Sequence, residues 1–254
     1  MSIHHKPDQS FDSIADKFQR NIYGTTKGRL RHELLMHYLT PFIERSSMRI
    51  LEAGGGSGEM AEELLKLGHR VHVIDISSDM IELAKKRCAR YPGFSCEVNE
   101  IQQHDSPEKY DFILCHAVME WLTDPLSIIP SLISLLGQHG HLSLSFFNKD
   151  AHLFGNVLYG NFDYIAKGFN VPNRVRLNPN NAVKPQDVID CLGELQLNVV
   201  HKAGLRCFHD YVRDKTIQQS HYQQLKEMEL EYGTQAPFMW LGKYFHLIAQ
   251  NPAA

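Results

Sequence analysis

Short apolar segments alternate with amphipathic ones from Arg49 to Phe147, and the first of them empties into a run of glycines. Arg49 to Ala53 reads as a buried strand. It is followed by Gly54, Gly55, Gly56, Ser57 and Gly58, then by a helical spacing from Glu59 to Leu67 that stops at Gly68. Strands are expected again at Arg70–Ile74, Phe94–Val98, Tyr110–Cys115 and His141–Phe147. Between them, helices are expected at Asp79–Arg90, with Ser77 or Ser78 as N-cap, and at Pro125–Leu136. This spacing implies βαβ units, a mostly parallel sheet, and right-handed crossovers that put helices on both faces. Ligands of such sheets bind beyond the carboxyl ends of the strands, where the strand order reverses.

The flanks complete an α/β chain. An N-terminal helix is expected over Asp12 to Arg20, with Phe11, Ile14, Ala15 and Phe18 at helical spacing. Two glycines break it, and a second helix carries Leu30, Leu34, Leu35, Tyr38 and Leu39 on one face, ending near Pro41. The pattern loosens from Lys149 to Lys184. A helix then opens at Pro185 and runs to Leu195, a common use of proline at the first helical position. Leu197–Leu205 and Tyr244–Ala249 read as the last two of seven strands, with a long polar helix over Asp214–Tyr232 between them. The expected organisation is one domain over 1–254, with a helical cap at 1–45 and a substrate-side insert at 149–184. The insert has too few apolar residues for a core of its own.

Composition removes several alternatives. A net charge of −3 announces no global nucleic-acid binder, so any such reading rests on local patches. The five cysteines form no C-x-x-C pair, and a reducing compartment fits them better than a disulfide framework. His69/His72 and His139/His141 are spaced as metal-ligand pairs, but no cluster completes either in the sequence, so no metal is expected. The N-terminus lacks the apolar core of a signal peptide, and no stretch approaches membrane-spanning length. The default location is the cytoplasm.

The chemistry begins at the glycine loop. Gly54, Gly56 and Gly58 permit a tight turn and close approach of backbone to a ligand. Residue 59 is Glu, so the dinucleotide pattern G-x-G-x-x-G is missing, and no G-K-[ST] follows to make a phosphate-binding P-loop. The pattern is acid-x-G-x-G-x-G, which resembles that of class I methyltransferases, whose S-adenosylmethionine carries no phosphate. Asp75 ends the second strand, where an acid accepts hydrogen bonds from ribose hydroxyls; otherwise it serves as an acid at a helix N-terminus. Ile76 and Met80 beside it offer apolar contact to adenine, and Asn99-Glu100 falls at the adenine edge after the third strand. His116 follows the fourth strand and faces either the reacting centre or only its own loop. Trp121 reads as a packed wall.

Charge is segregated. Lys17, Arg20, Lys27, Arg29 and Arg31 lie in one acid-free run, and Lys167, Arg174, Arg176 and Lys184 in another. Arg206, His209 and Arg213 form a third basic group after the sixth strand. Three such runs near one sheet edge point to a polyanion or carboxylate partner as readily as to a solvated surface.

Four motifs are more specific: Asn21-Ile22-Tyr23-Gly24-Thr25-Thr26-Lys27-Gly28-x-Leu30-Arg31, His116-Ala117-Val118-x-Glu120-Trp121, Gly160-Asn161-Phe162-Asp163-Tyr164 and Arg206-x-Phe208-His209-Asp210-Tyr211. Together they resemble the bacterial tRNA 5-carboxymethoxyuridine methyltransferase family over nearly the whole chain. The resemblance implies a Rossmann-like class I methyltransferase fold. It also implies methyl transfer from S-adenosylmethionine to the carboxylate of 5-carboxymethoxyuridine at a tRNA wobble position, giving the methyl ester. The tRNA anticodon stem-loop is then the partner. The resemblance carries over Arg31, Gly54, Gly55, Asp75, Asn99 and His116 as cofactor contacts, with Arg31 pairing with the methionine carboxylate. Lys27, Arg206 and Arg213 are candidates to hold the acceptor carboxylate, with Tyr23 and His209 as hydrogen-bond donors. Tyr23, Phe208 and Tyr211 are candidates to stack on a splayed base. A carboxylate acceptor is already ionised at neutral pH, so no general base is required. Two rivals stand beside this reading: a small-molecule carboxyl or oxygen methyltransferase, and a non-catalytic protein that binds the cofactor or RNA.

Overall fold

The computed structural model describes residues 25–44, 47–169 and 181–252. The helix expected over Asp12–Arg20, together with Tyr23, Arg174 and Arg176, lies outside them. The described elements are α1 (Thr26–Ile43), β1 (Arg49–Ala53), α2 (Glu59–Lys66), β2 (Arg70–Asp75), α3 (Ser78–Cys88), β3 (Phe94–Val98), β4 (Tyr110–His116), α4 (Ile129–Leu135) and β5 (Leu136–Phe147). They continue as α5 (Lys149–Leu158), α6 (Phe162–Ala166), α7 (Pro185–Glu194), β6 (Asn198–Leu205), α8 (Ile217–Ser220), α9 (Tyr222–Tyr232) and β7 (Tyr244–Gln250). Short 3-10 turns occupy Ile101–Gln103, Met119–Trp121, His209–Tyr211 and Phe238–Leu241.

The seven strands form one sheet in the order β3-β2-β1-β4-β5-β7-β6. All run parallel except β7, which lies antiparallel between β5 and β6. Alternate strand residues face opposite sides. On one side Ile50, Val71, Val73, Phe112 and Leu114 bury against α1, α2 and α3. On the other, Leu51, Ile74, Ile113, Leu142 and Leu144 bury against α4 and α7. Burial on both faces explains the near-continuous apolar runs of β1 and β4. The strand order reverses between β1 and β4, beside the glycine loop.

Four local expectations change. α1 continues through Pro41 to Ile43 rather than ending at the proline. β5 starts at Leu136, so the helix before it is shorter than its apolar residues suggest. The loosened stretch after β5 contains two helices, α5 and α6, whose Leu153, Val157, Leu158, Tyr159 and Phe162 are exposed. The long polar helix is interrupted at His221 into α8 and α9.

The loop after β6 is held by one buried side chain. The Glu229 carboxylate on α9 accepts hydrogen bonds from the backbone N–H groups of Cys207, Phe208 and His209 at 2.6, 2.9 and 2.9 Å. This anchor supports Arg206, whose φ of 63° is an unfavourable left-handed conformation for a residue with a side chain. The preceding motif docks on the same loop. Thr25 caps α1 by accepting from Gly28 N at 3.2 Å, Thr26 Oγ1 meets His209 Nε2 at 3.2 Å, and Arg206 donates to the Lys27 carbonyl at 3.5 Å.

Replacing Glu229 with Ala strands three buried N–H groups, and each stranded group costs about 1–3 kcal/mol. Urea unfolding should show E229A to be the most destabilised variant and E229Q, which keeps one acceptor oxygen, intermediate. Equal stability of E229A and the parent would show that the loop does not depend on this anchor.

Candidate functional site

The turn between β1 and α2 is built by packing as well as by backbone freedom. Gly54 and Gly56 have φ values of 69° and 56°, in the region glycine occupies without penalty. A Cβ on Gly54 would collide with the Val118 side chain, and one on Gly55 would lie 2.8 Å from Val73 Cγ1. A Cβ on Gly56 would meet nothing within 4 Å, so its backbone faces open space. In the direction of a side chain, Gly56 has open space, whereas Gly54 and Gly55 let the chain pass its own side chains.

Asp75 closes the turn. Its carboxylate accepts from Gly56 N and from Ser77 N, both at 2.9 Å, and its carbonyl accepts from Asn99 N at 3.0 Å. A carboxylate has lone pairs left after two such bonds, so it can also take a diol. Ser77, not Ser78, caps α3, accepting from Met80 N at 3.3 Å. Met80 is 1% exposed and belongs to the interior, whereas Ile76 is exposed beside Asp75. The Asn99 amide donates to Glu97 Oε1 at 3.0 Å, which turns it onto its own strand.

Beneath the loop, the buried Glu52 carboxyl is pushed up to about 8 by burial, with Glu59 and Asp75 adding to the shift. Its Oε2 has no hydrogen-bond partner.

His116 is half-buried at the end of β4, with Nε2 2.7 Å from Ser143 Oγ. Ser143 Oγ lies 2.9 Å from His246 Nε2, so a buried polar chain runs beneath α1. Burial, then the Arg31 cation and the neighbouring His32, lower His116 to about 3, so it is a neutral hydrogen-bonding group at neutral pH.

Tyr244 opens β7, and two arginines approach its ring. The Arg31 guanidinium is 5.2 Å from its ring centroid and the Arg206 guanidinium 5.4 Å. Both distances suit cation–π contact. Glu120 is fully buried in the turn after β4, with neither carboxyl oxygen meeting hydrogen-bond geometry. Burial raises it to about 7, opposed in part by Arg31 and Tyr244. Arg206 also pairs with Asp210 at 2.9 Å. Burial pushes the Asp210 carboxyl up, but Arg206 and His209 outweigh it and hold it at about 2. Lys243 lies over the Phe147 ring at 5.0 Å. Burial lowers its ammonium; Asp210 opposes that, while Arg206 and Lys27 lower it further. Lys27, Arg206 and Lys243 therefore form one cationic group, tempered by Asp210.

The structure divides the residues read from sequence. Arg31, Gly54, Gly55, Asp75, Ile76, Asn99 and His116 line the carboxyl edge of β1 to β4 and its approach. Lys27 and Arg206 come together as expected. Arg213 is exposed, and no ion pair joins it to that group among the described residues. His209 is 1% exposed and held by Thr26 and Glu229, so it braces the loop instead of facing an acceptor. Phe208 packs against Tyr232 and Phe238, and the Tyr211 hydroxyl donates to Leu241 O at 2.9 Å; neither presents a free ring face. Sequence reasoning passes over Lys243 and Tyr244 as site residues, and names Glu120 only as part of a motif, with no role. The first two sit in Gly242-Lys243-Tyr244, a strand start whose pairing beside β5 is not local in sequence. The histidine pairs separate: His69 Nδ1 accepts from Met48 N, and His141 stacks on Phe112.

The methyltransferase-domain family matches residues 27–201. The chain is 39% identical to the tRNA 5-carboxymethoxyuridine methyltransferase of Escherichia coli (strain K12), covering 96% of this chain and 97% of that protein. It is 27% identical to the ubiquinone biosynthesis O-methyltransferase of Xanthomonas euvesicatoria pv. vesicatoria (strain 85-10), over 52% of this chain and 56% of that one. Among solved structures it is similar to magnesium protoporphyrin IX methyltransferase from Synechocystis PCC 6803 with bound SAH. The TM-score is 0.66 and the identity 17%, covering 95% of this chain and 96% of the other.

Glu52 and Glu120 set a pH dependence. Both are raised from an ordinary value of 4.5, so the folded state keeps protons that the unfolded chain releases. Their contribution is fully present below about pH 4.5 and is lost as pH rises through about 7 to 8. The E52Q/E120Q variant should therefore lose less melting temperature than the parent between pH 5 and pH 8. Parallel melting curves would contradict these assignments.

Proposed function

Because the chain belongs to the tRNA 5-carboxymethoxyuridine methyltransferases within the methyltransferase-domain family, we propose that it converts the carboxylate of 5-carboxymethoxyuridine at a tRNA wobble position into its methyl ester. When bound, S-adenosylmethionine supplies a methyl group activated on a sulfonium. The residues at the carboxyl edge of β1, β2 and β4 fit it: Gly56 borders open space, Asp75 has acceptor capacity for a ribose, and Arg31 supplies a guanidinium for the methionine carboxylate. Gly54 and Gly55 shape this cradle, Ile76 gives it an apolar wall, and Asn99 contributes through its backbone turn. His116, neutral and tied to Ser143, fixes the floor near the reacting centre.

The observation that carries the acceptor assignment is the cationic group around Arg206. Lys27, Arg206 and Lys243 repel one another in a partly buried place, and an acceptor carboxylate relieves that repulsion. Arg31 is assigned to the methionine carboxylate and this group to the acceptor, so each arginine serves a different carboxylate. No side chain has to remove a proton, because the acceptor is already an anion. The protein's work is to position the acceptor for in-line displacement. The ester product carries no charge, so the cations lose their hold on it once transfer is complete. Arg213 and Lys215, on the outer turn, serve the RNA backbone, and the exposed rings of Tyr159 and Phe162 take the stacking role. Residues 1–254 act as a single cytoplasmic domain, with 1–45 as a cap and 149–184 as the acceptor-side insert. The near-complete coverage of the tRNA enzyme, against about half for the quinone enzyme, favours this reading over a small-molecule acceptor.

The test is in vitro methylation of tRNA carrying 5-carboxymethoxyuridine, of tRNA lacking it, and of free small acids, with nucleosides read by mass spectrometry. Ester should form on the modified tRNA alone. No ester there, or equal methylation of small acids, would overturn the reading. Arg31→Ala should weaken cofactor binding by about tenfold or more, the cost of a lost charge-assisted bond. Arg206→Met and Lys243→Met should cut turnover on modified tRNA while calorimetry shows cofactor affinity unchanged. Full activity in both would place the clamp elsewhere.

A further inference from the structure

At the β3 edge of the sheet, β2 and β3 hold a second polar cluster, joined to the cofactor edge through the Asn99 amide, which donates to Glu97 Oε1 at 3.0 Å. Their register pairs His72 with Ser95 and Ile74 with Glu97. Side chains alternate along a strand, so Ser95 and Glu97 share a face of β3 beside His72. His104 reaches the same face from the turn after the 3-10 helix Ile101–Gln103. Each imidazole is oriented by a hydroxyl: His72 Nδ1 lies 2.7 Å from Ser95 Oγ, and His104 Nε2 lies 3.0 Å from Tyr110 OH. The remaining ring nitrogens both turn toward Glu97 Oε1, His104 Nδ1 at 2.7 Å and His72 Nε2 at 3.8 Å. One ligand atom from each residue lies within 4.8 Å of the others.

We propose that His72, Glu97 and His104 bind a divalent transition metal, with Zn²⁺ as the natural occupant. Two imidazoles and one carboxylate suit a borderline-soft ion, and three protein ligands plus water complete a tetrahedron. Hydroxyl partners on the outer nitrogens are the second-shell arrangement that fixes histidine ligands in metal sites. His104 is almost fully enclosed, whereas the His72 and Glu97 side chains are 21% and 42% exposed, which leaves an entry path and room for water. Zn²⁺ binds the Nδ1 lone pair of neutral His104: the Nδ1 proton is released, one proton is taken up at Nε2, and Nε2–H then donates to the Tyr110 hydroxyl, so the ring changes tautomer with no net loss of a proton.

The test titrates Co²⁺ and Zn²⁺, each alone, into the purified full-length chain. Co²⁺ should give the visible d–d absorption of a four-coordinate site, and Zn²⁺ should abolish it. His72→Ala and Glu97→Gln should each lower Zn²⁺ affinity by more than tenfold, and Ser95→Ala by about tenfold. Melting curves of the metal-free variants report folding. If H72A does not fold, E97Q and S95A carry the comparison. The absence of saturable binding, or equal affinity in all folded variants, overturns the proposal. With fifteen histidines in the chain, the second outcome would mean that other imidazoles hold the ion.

Discussion

The Asp75 side chain and carbonyl join the ends of three strands. Through the carboxylate it holds Gly56 after β1 and Ser77 after β2, and through the carbonyl it holds Asn99 after β3. Buried N–H groups at strand ends need partners, and one residue supplies three of them. The carboxyl edge of the sheet is thereby fixed before any ligand arrives, which lowers the ordering cost of binding. Gly54 and Gly55 belong to the same device: they are small because Val118, Val73 and Glu52 fill the space behind them.

Glu229 does the corresponding work for the other half of the site. Its three hydrogen bonds hold the loop in which Arg206 takes its left-handed conformation, and Thr26 and Lys27 dock against that loop. Tyr244 stands where the two halves meet. Because β7 runs antiparallel, its first residue, not its last, reaches the carboxyl edge. That reversal brings Lys243 and Tyr244 beside the end of β5 and puts an aromatic ring within cation–π reach of both Arg31 and Arg206.

The two halves differ in how far they can be read from sequence. The cofactor half is local: apolar strand, glycine turn, helix, strand and acid follow one another, so spacing alone singles out Gly54, Gly56 and Asp75 as candidates. The acceptor half is assembled from segments far apart in the chain, and the strand pairings that unite them leave no short-range pattern. Motif resemblance located Lys27, Arg206 and His209 but not what each faces. His209 was read as a donor to the acceptor because it sits between Arg206 and Asp210 in sequence, yet burial and Glu229 turn it inward. Lys243 escaped notice because an isolated lysine before a strand has no signature. His72 stands out in the sequence only beside His69; its grouping with Glu97 and His104 leaves no local pattern, since their proximity depends on strand register and a turn. The break at His221 and the helices α5 and α6 were hidden because polar or mixed sequence gives a weak period.

In the proposed reaction both halves serve one chemical idea: an anion that needs no base is brought to an activated methyl group by cations that release it once its charge is gone. The direct test is mass spectrometry of wobble nucleosides from cells in which this gene is deleted. The account predicts loss of the 5-carboxymethoxyuridine methyl ester with its free acid retained, restored by the intact gene. An unchanged level of the ester would contradict it.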